Sequence, residues 1–378
     1  MNLAEHPAKT LVLRPAGIAV PEGEICTTPE AAASVAGRFG AVMVKAQIPA
    51  GKRGKGGGIR LAANPAEAAR AARAILGSEV SGHRVGAVLV EQAAAIAAEY
   101  YAAVLHDAAS ATSLVLFSSE GGMEIEEIAA TRPEALSRHH VAGGEEFTRE
   151  DARTMLGGQN LGAEREQVAA LLVSLFRRYR ETDAELIEIN PLARLADGSL
   201  MALDCKFILD DAAAYRQPEL SAHAAPEPRT ALEARGASAG LKFIELPGNV
   251  AILANGAGLT MTTMDAVHHF GGSAANFLEI GGEAYTKSEA ALALVLANPN
   301  ARSVVVNFCG AFARTDVMAE GVVRAWQSLK PELPVFFSVH GTGEAEAVAL
   351  IERELGLTPF DFMEDAVKAA IAAAGARR

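Results

Sequence analysis

Apolar residues in the first half of this chain recur with two different periods, and the switches between them mark out its elements. Leu3 to Leu13 carries a helical spacing that stops at Arg14-Pro15-Ala16-Gly17, with Pro7 near its start, where a missing N–H costs least. Ala41 to Ile48 reads as a strand leading into the glycine-rich segment Gly51 to Gly58. An alanine-rich helix is predicted over about Pro65 to Leu76, and strands over Gly86–Glu91, Tyr100–His106 and Thr112–Ser118. A long helix runs from Glu164 to about Tyr179. Beyond it, the apolar runs Ala184–Asn190 and Ser199–Cys205 flank Asp197-Gly198, a hairpin signal.

The second half repeats one pattern: an apolar strand, a glycine-containing turn, then a helix. It occurs at Val250–Gly258, Ala275–Gly282, Ser303–Gly310 and Pro334–Gly341, and a short run near Thr358–Met363 precedes a terminal helix. Strands alternating with helices predict a parallel, doubly wound sheet, in which ligands gather at the carboxyl ends of the strands. The stretch Gln217 to Ser238 has no sustained apolar period and reads as the linker between the halves. At 378 residues, more than one core is expected.

Composition narrows the function. No segment approaches the ~20 consecutive apolar residues of a membrane span. The start, MNLAEHPAK, lacks the basic-then-apolar order of a secretory signal, so a cytoplasmic protein is expected. With 34 Lys plus Arg against 46 Asp plus Glu, a general nucleic-acid binder is disfavoured. Local cations and helix N-termini still allow phosphate ligands in an acidic protein. Cys26, Cys205 and Cys309 lack metal-ligand spacing and read as reduced, buried small side chains.

Two constellations carry candidate chemistry. Lys45 ends a strand, and Lys52, Arg53 and Lys55 lie among glycines that let backbone N–H groups approach a phosphate. No Walker A pattern is present, and a solvated basic loop has the same local composition. Asn190 and Asp204, on adjacent strands, form the oxygen pair that a nucleotide-bound magnesium ion takes from a protein, and Glu188 shares a face with Asn190. A strict two-residue turn at Asp197-Gly198 would instead set Asn190 opposite Cys205 and turn Asp204 to the other face. A shared metal therefore requires a longer loop or a bulge, for which Pro191 is a candidate. Glu91 and Glu99 stand at strand ends where a carboxylate could accept hydrogen bonds from a nucleotide's amino group or ribose.

In this order the pieces resemble the β subunit of the succinyl-CoA synthetase family, including malate–CoA ligase relatives. The resemblance rests on Val44-Lys-Ala-Gln with Ala50–Gly57, Leu186-Ile-Glu-Ile-Asn-Pro-Leu, Asn255-Gly-Ala-Gly-Leu with Thr263-Met-Asp, and Ala275–Gly282. It implies an ATP-grasp domain over residues 1–222, with a lid subdomain at about 20–95. A linker at 223–240 and a flavodoxin-like CoA-ligase domain at 241–378 would follow. By the same resemblance Lys45, Lys52, Arg53, Gly54, Glu91 and Glu99 match nucleotide contacts. Asn190 and Asp204 match magnesium ligands, and Glu188 matches a catalytic glutamate that meets a phosphohistidine. Asn255, Gly310, Ala311, Phe312 and Ala313 match the acid-binding region. The implied cofactors are Mg2+ and ATP, with GTP left open. The implied partner is a separate α subunit carrying the phosphohistidine and most of the CoA site; the implied substrate is a small dicarboxylic acid. No nucleic acid or membrane partner is expected.

The chain departs from the family pattern mainly where the acid should sit. Cys309-Gly310-Ala311-Phe312-Ala313 replaces a phenylalanine, two glycines and an aliphatic pair. Ser338-Val-His-Gly-Thr-Gly replaces an Arg-Leu-Glu-Gly-Thr-Asn-like turn, removing a cation and a carboxylate. Lys52 and Cys205 stand where the family has glycines. Succinate, malate and related dicarboxylates thus remain open, as do two other readings: a stand-alone ATP-grasp ligase, and a nucleotide-binding subunit that has lost acid activation.

Overall fold

The computed structural model describes residues 1–49, 53, 56–122, 125–225, 229–280, 287–311 and 314–376, and the chain divides into Met1–Glu227 and Pro228–Arg378. In the first unit, an antiparallel four-stranded sheet has the order Gly23–Cys26, Val88–Gln92, Val42–Ala46, Ile59–Ala62. Helices Pro29–Phe39 and Pro65–Ile75 belong to the same layer. Thr28 and Asn64 accept hydrogen bonds from Ala31 and Glu67 N–H groups, each followed by a proline at the first helical position. Small side chains such as Ala32, Ala36, Ala68 and Ala72 let both helices sit close to Val42, Val44, Val88 and Val90. Alternation then turns Met43, Lys45 and Glu91 to the sheet's other face.

The larger sheet has eight strands, in the order Leu136–Val141, Thr112–Ser118, Ile96–Asp107, Ala184–Leu195, Lys206–Leu209, Asn2–Leu3, Ala224–Ala225, with Leu200–Ala202 also pairing Ala184–Leu195. Helix Arg165–Glu181 packs Val168, Leu172, Leu175, Phe176 and Tyr179, at helical spacing, into its core. Asn2 and Leu3 pair with Ile208 and Phe207, so the residues that follow leave the sheet beside the Leu203–Lys206 segment. That following stretch is helical from Glu5 to Ala16. It opens as an α-turn, widens to a π-helix over Ala8–Leu13 and tightens to a 3₁₀ turn.

The hairpin after Ala184–Leu195 differs from a strict two-residue turn. Leu195 and Ser199 close a loop of residues 196–198, with Gly198 at φ 85°. The pairs are Arg194 with Leu200, Ala193 with Met201 and Leu192 with Ala202; Glu188 faces Lys206 in the same register. Asn190 and Asp204 are therefore opposite one another. A register shift against Ile96–Asp107 falls between Ile189 and Leu192, at the position where Pro191 marked a possible bulge.

In the second unit, Val250–Ala254, Ser303–Gly310 and Val335–Gly341 form a parallel sheet in that order. Parallel bridges Val250–Ala274, Ala254–Glu279 and Ser338–Phe360 extend it on both sides. In chain order the positions read 2-1-3-4-5, the flavodoxin-like arrangement. Ala291, Leu294, Met318, Val322 and Ile351 pack one face; Val267, Val367 and Ala370 pack the other. Within the stretch read as linker, the structure has a helix, Ala231–Ser238. Its Thr230–Glu233 capping box supplies the start that a search for apolar periodicity overlooks.

Candidate functional site

Lys45, Arg53, Glu91, Glu99, Glu188, Asn190 and Asp204 all line one cavity of about 910 Å³ in the first unit, with apolar walls that include Met43, Ile48, Ile59 and Ile96. Lys52 and Gly54, the other candidate nucleotide contacts, lie outside the described residues. Two sheets contribute the lining. Lys45 and Glu91 come from neighbouring strands of the four-stranded sheet, and Glu99, Glu188 and Asn190 from neighbouring strands of the larger one.

Glycines make room for these carboxylates. Gly23 pairs with Glu91, and a Cβ on it would lie 2.6 Å from the Glu91 Cβ. A Cβ on Gly121 would lie 2.5 Å from Tyr100 N, and one on Gly122 would lie 2.2 Å from Glu99 Oε2. Because that segment approaches so closely, Gly121 N–H reaches Glu99 O at 2.8 Å and Gly122 N–H reaches Asn190 Oδ1 at 3.0 Å. Gly121 and Gly122 thus fix two candidate site residues, Glu99 and Asn190.

The charged groups form a closed network. Lys45 Nζ lies 2.8 Å from Glu5 Oε1, 2.6 Å from Glu91 Oε1 and 2.7 Å from Leu203 O. Arg53 Nη2 donates to both Asp204 oxygens at 2.6 Å. Arg53 Nη1 is 2.6 Å from Glu5 Oε2, an ion pair not aligned as a hydrogen bond. Lys9 Nζ meets Glu5 Oε1 at 2.5 Å, Glu91 Oε2 at 2.9 Å and Leu203 O at 2.5 Å. Burial would raise the Glu5 carboxyl, but Lys45, Lys9 and Arg53 together hold it well below the usual carboxylate range. Burial likewise works against the charge on Lys45 and Arg53. Glu5 with Glu91 and Asp204 on Lys45, and Glu5 with Asp204 on Arg53, outweigh it and keep both protonated. Removing one partner from such a buried set strands a charge, at a cost of about 3–5 kcal/mol. Glu5 and Lys9 escaped the sequence reading because their partners lie as far away as residue 203, and only the proximity of Leu3 to Phe207 hints at the approach.

Asn190 and Asp204 offer two oxygen donors on one cavity wall, which suits magnesium, an ion that fills its remaining positions with water and phosphate. Among the described residues no group of three or more His, Cys, Asp or Glu side chains could hold a metal. Cys205 is buried beside Asp204, to which its N–H donates at 2.7 Å.

In the second unit, Asn255, Gly310 and Ala311 meet at the carboxyl ends of adjacent strands. Asn255 Nδ2 donates to Cys309 O at 2.9 Å, and Cys309 N–H donates to Asn255 Oδ1 at 2.8 Å. Gly341, at φ 102°, packs so tightly on Gly310 that a Cβ would lie 2.0 Å from its carbonyl oxygen. Phe312 and Ala313 lie outside the described residues. Thr315 opens the following helix with its N–H donated to Thr342 O, and Asp316, paired with Arg314, sits in the first turn. Ser338 Oγ is 3.2 Å from His340 Nε2, on the strand beside Cys309. Cys309 corrects one expectation: read as buried, it is exposed, since alternation turns it to the face opposite Phe308 and Gly310, which stay buried.

Residues 2–194 match the family model of the ATP-grasp domain, and residues 253–373 match that of the CoA-ligase domain. The chain is 42% identical to the GDP-forming succinate–CoA ligase subunit β of Thermus thermophilus, over 93% of each chain. It is 39% identical to the ADP-forming counterpart of Chloroflexus aurantiacus, over 99% of this chain and 100% of that one. A solved ATP citrate lyase from Methanothrix soehngenii shares the fold, with a TM-score of 0.70, 24% identity and coverage of 98% and 99%. No helix among the described residues is long and apolar enough to cross a membrane. With an ATP-grasp unit followed by a flavodoxin-like unit, and relatives aligned along almost its full length, the chain belongs to the succinate–CoA ligase β-subunit family of acid–thiol ligases.

Proposed function

We propose that this chain binds Mg-ATP in the first unit and a small dicarboxylic acid in the second, and exchanges phosphate with a phosphohistidine on a separate α subunit that carries most of the CoA site. The observation that carries this reading is the convergence of Lys45, Arg53, Glu91, Glu99, Glu188, Asn190 and Asp204 on one cavity. Lys45 and Arg53 are the cations for the polyphosphate, where charge spreads over the transferring group's oxygens. Asn190 and Asp204 would hold magnesium, which supplies further neutralisation of those oxygens. Glu91 and Glu99 accept hydrogen bonds from the nucleoside, and Glu188 orients the incoming imidazole. The phosphate cations are already ionised and aimed into the cavity, but occupied by carboxylates that a nucleotide must displace.

The acid is a dicarboxylate held near Asn255 and Gly310. Ser338 and His340 replace a charged pair beside that crevice, and this favours a substituted acid such as malate over succinate. Purifying the chain with and without a co-expressed α subunit tests the reading. Phosphohistidine formed from ATP only with the partner present is the expected result, and ligase activity of the chain alone overturns it. A panel of acids assayed on the complex with ATP and CoA then identifies the substrate; turnover of none of them would point to a nucleotide-binding subunit without acid activation.

A further inference from the structure

The network contains two buried ionised side chains that this chemistry leaves without a task, Glu5 and Lys9, each 2% exposed. Glu5 is on the cavity wall; Lys9 is not. The contacts of Lys9 repeat those of Lys45. Both ammonium groups reach Glu5 Oε1, the Glu91 carboxylate and Leu203 O, the latter at 2.5 Å from Lys9 and 2.7 Å from Lys45. Two ammonium groups therefore share one set of acceptors, two carboxylates and a carbonyl.

We propose that Lys9 is a positioning residue that frees Lys45 for phosphate, by keeping Glu5, Glu91 and Leu203 O satisfied when Lys45 moves into the cavity. Glu5 is its counterpart. Its carboxylate sits between Lys45 and Arg53, the cations proposed for phosphate, and Lys9, one helical turn away, remains on it when both depart. Without Lys9, Glu91 and Leu203 O would depend on Lys45, and Glu5 on Lys45 and Arg53, so the departure of both cations would leave two buried carboxylates and a carbonyl uncompensated. Without the Glu5 charge, Lys45 and Arg53 are held back less. Substitutions at the two positions therefore push phosphate affinity in opposite directions, whereas a purely structural role would weaken it at both.

This inference rests on the phosphate role proposed for Lys45 and Arg53, and the test separates the two. Calorimetric titration of the full chain with tripolyphosphate, which carries the anionic part of a nucleotide and no base, reads the effect directly. Lys9→Gln weakens binding about tenfold, Glu5→Gln tightens it by roughly threefold or more, and the double variant returns to within about threefold of the unaltered chain. If Lys45→Gln leaves tripolyphosphate binding unchanged, the underlying phosphate reading fails. If Lys45→Gln abolishes binding while Lys9→Gln does not weaken it, or Glu5→Gln weakens it, the inference about Lys9 alone fails. Should the single variants not fold, a crystal structure of the unaltered chain with Mg2+ and a non-hydrolysable ATP analogue decides. Lys45 gone from Glu5 with Lys9 still on Glu5, Glu91 and Leu203 O supports the proposal; Lys45 retained on all three overturns it.

Discussion

In the proposed metal site, Asp204 would have to leave Arg53 to meet magnesium. Both its carboxylate oxygens accept from Arg53 Nη2, yet it is the most exposed acid of the network, at 28%. It can therefore exchange a guanidinium for a hydrated cation without first being unburied. Asp204→Ala is expected to abolish magnesium-dependent phosphorylation of the α subunit while leaving co-purification of the two subunits intact; undiminished phosphorylation would remove Asp204 from the metal site. Gly23 offers a subtler case, because a Cβ there intrudes on the Glu91 Cβ at 2.6 Å and on Val90 O at 2.9 Å. Gly23→Ala should raise the KM for ATP about tenfold and lower kcat less, since it displaces a binding carboxylate that is also a partner of Lys45. A steady-state ATP titration of the complex measures both constants. Neither Gly23 nor Lys9 could be singled out from the chain, for opposite reasons. Gly23 looks like any strand-edge glycine, and Lys9 like the polar side of a short helix.

Whether two residues on adjacent strands share a face depends on the loop that joins them. Asp197-Gly198 suits a two-residue turn, and that choice would have placed Asn190 and Asp204 on opposite faces. The structure adds Ala196 to the loop and closes it with the Leu195–Ser199 pair, restoring the register. Deleting Ala196 leaves Leu195 and Ser199 to flank a two-residue Asp-Gly turn in the same register, so magnesium-dependent activity should survive. Deleting Met201 shifts Asp204 by one place and should eliminate it. The strands themselves were legible, because alternation and β-branched runs are local. Their register was not, because a turn sequence compatible with two loop lengths does not choose between them. A second tie fixes where Ala184–Leu195 begins: Arg216 donates two hydrogen bonds to Asp183, at 2.9 and 2.7 Å. These bonds hold the Asp183 carboxyl below its ordinary value, burial opposing them only in part. A depressed folded-state value contributes stability above the unfolded aspartate pKa of about 3.9, and that stability is lost as pH falls through the folded-state value. Asp183→Asn tolerates the backbone there, at φ 48°, and removes the charge with one of the two oxygens that accept from Arg216. Urea unfolding should show a loss under about 1 kcal/mol at pH 7, shrinking as the pH drops below about 4.

At the scale of the whole chain, the proposed ligands divide between the two units as the cores do. Phe117, Leu172, Phe176 and Phe207 belong to a core wholly within Met1–Glu227, and Phe308, Val322 and Phe337 to one wholly within Pro228–Arg378. Every described side chain proposed to touch nucleotide or magnesium lies in the first, and every one proposed to touch the acid lies in the second. The sequence conveyed this division through a change of pattern, from antiparallel hairpins to repeated strand-turn-helix units. The acid itself stayed illegible, because the positions that would name it, such as Ser338 and His340, depart from the family where its pattern is the only guide. The division has a direct consequence: a fragment of residues 1–227, whose network of Glu5, Lys9, Lys45, Arg53, Glu91 and Asp204 is complete, should bind Mg-ATP with an affinity within about threefold of the full chain. That fragment should nonetheless form no acyl-CoA with the α subunit, since it lacks Asn255 and Gly310. Calorimetry on the fragment, after circular dichroism has shown a cooperative melt, measures the first expectation. A folded fragment that fails to bind Mg-ATP would mean that the second unit contributes to the nucleotide site, and would overturn the assignment of one ligand to each unit.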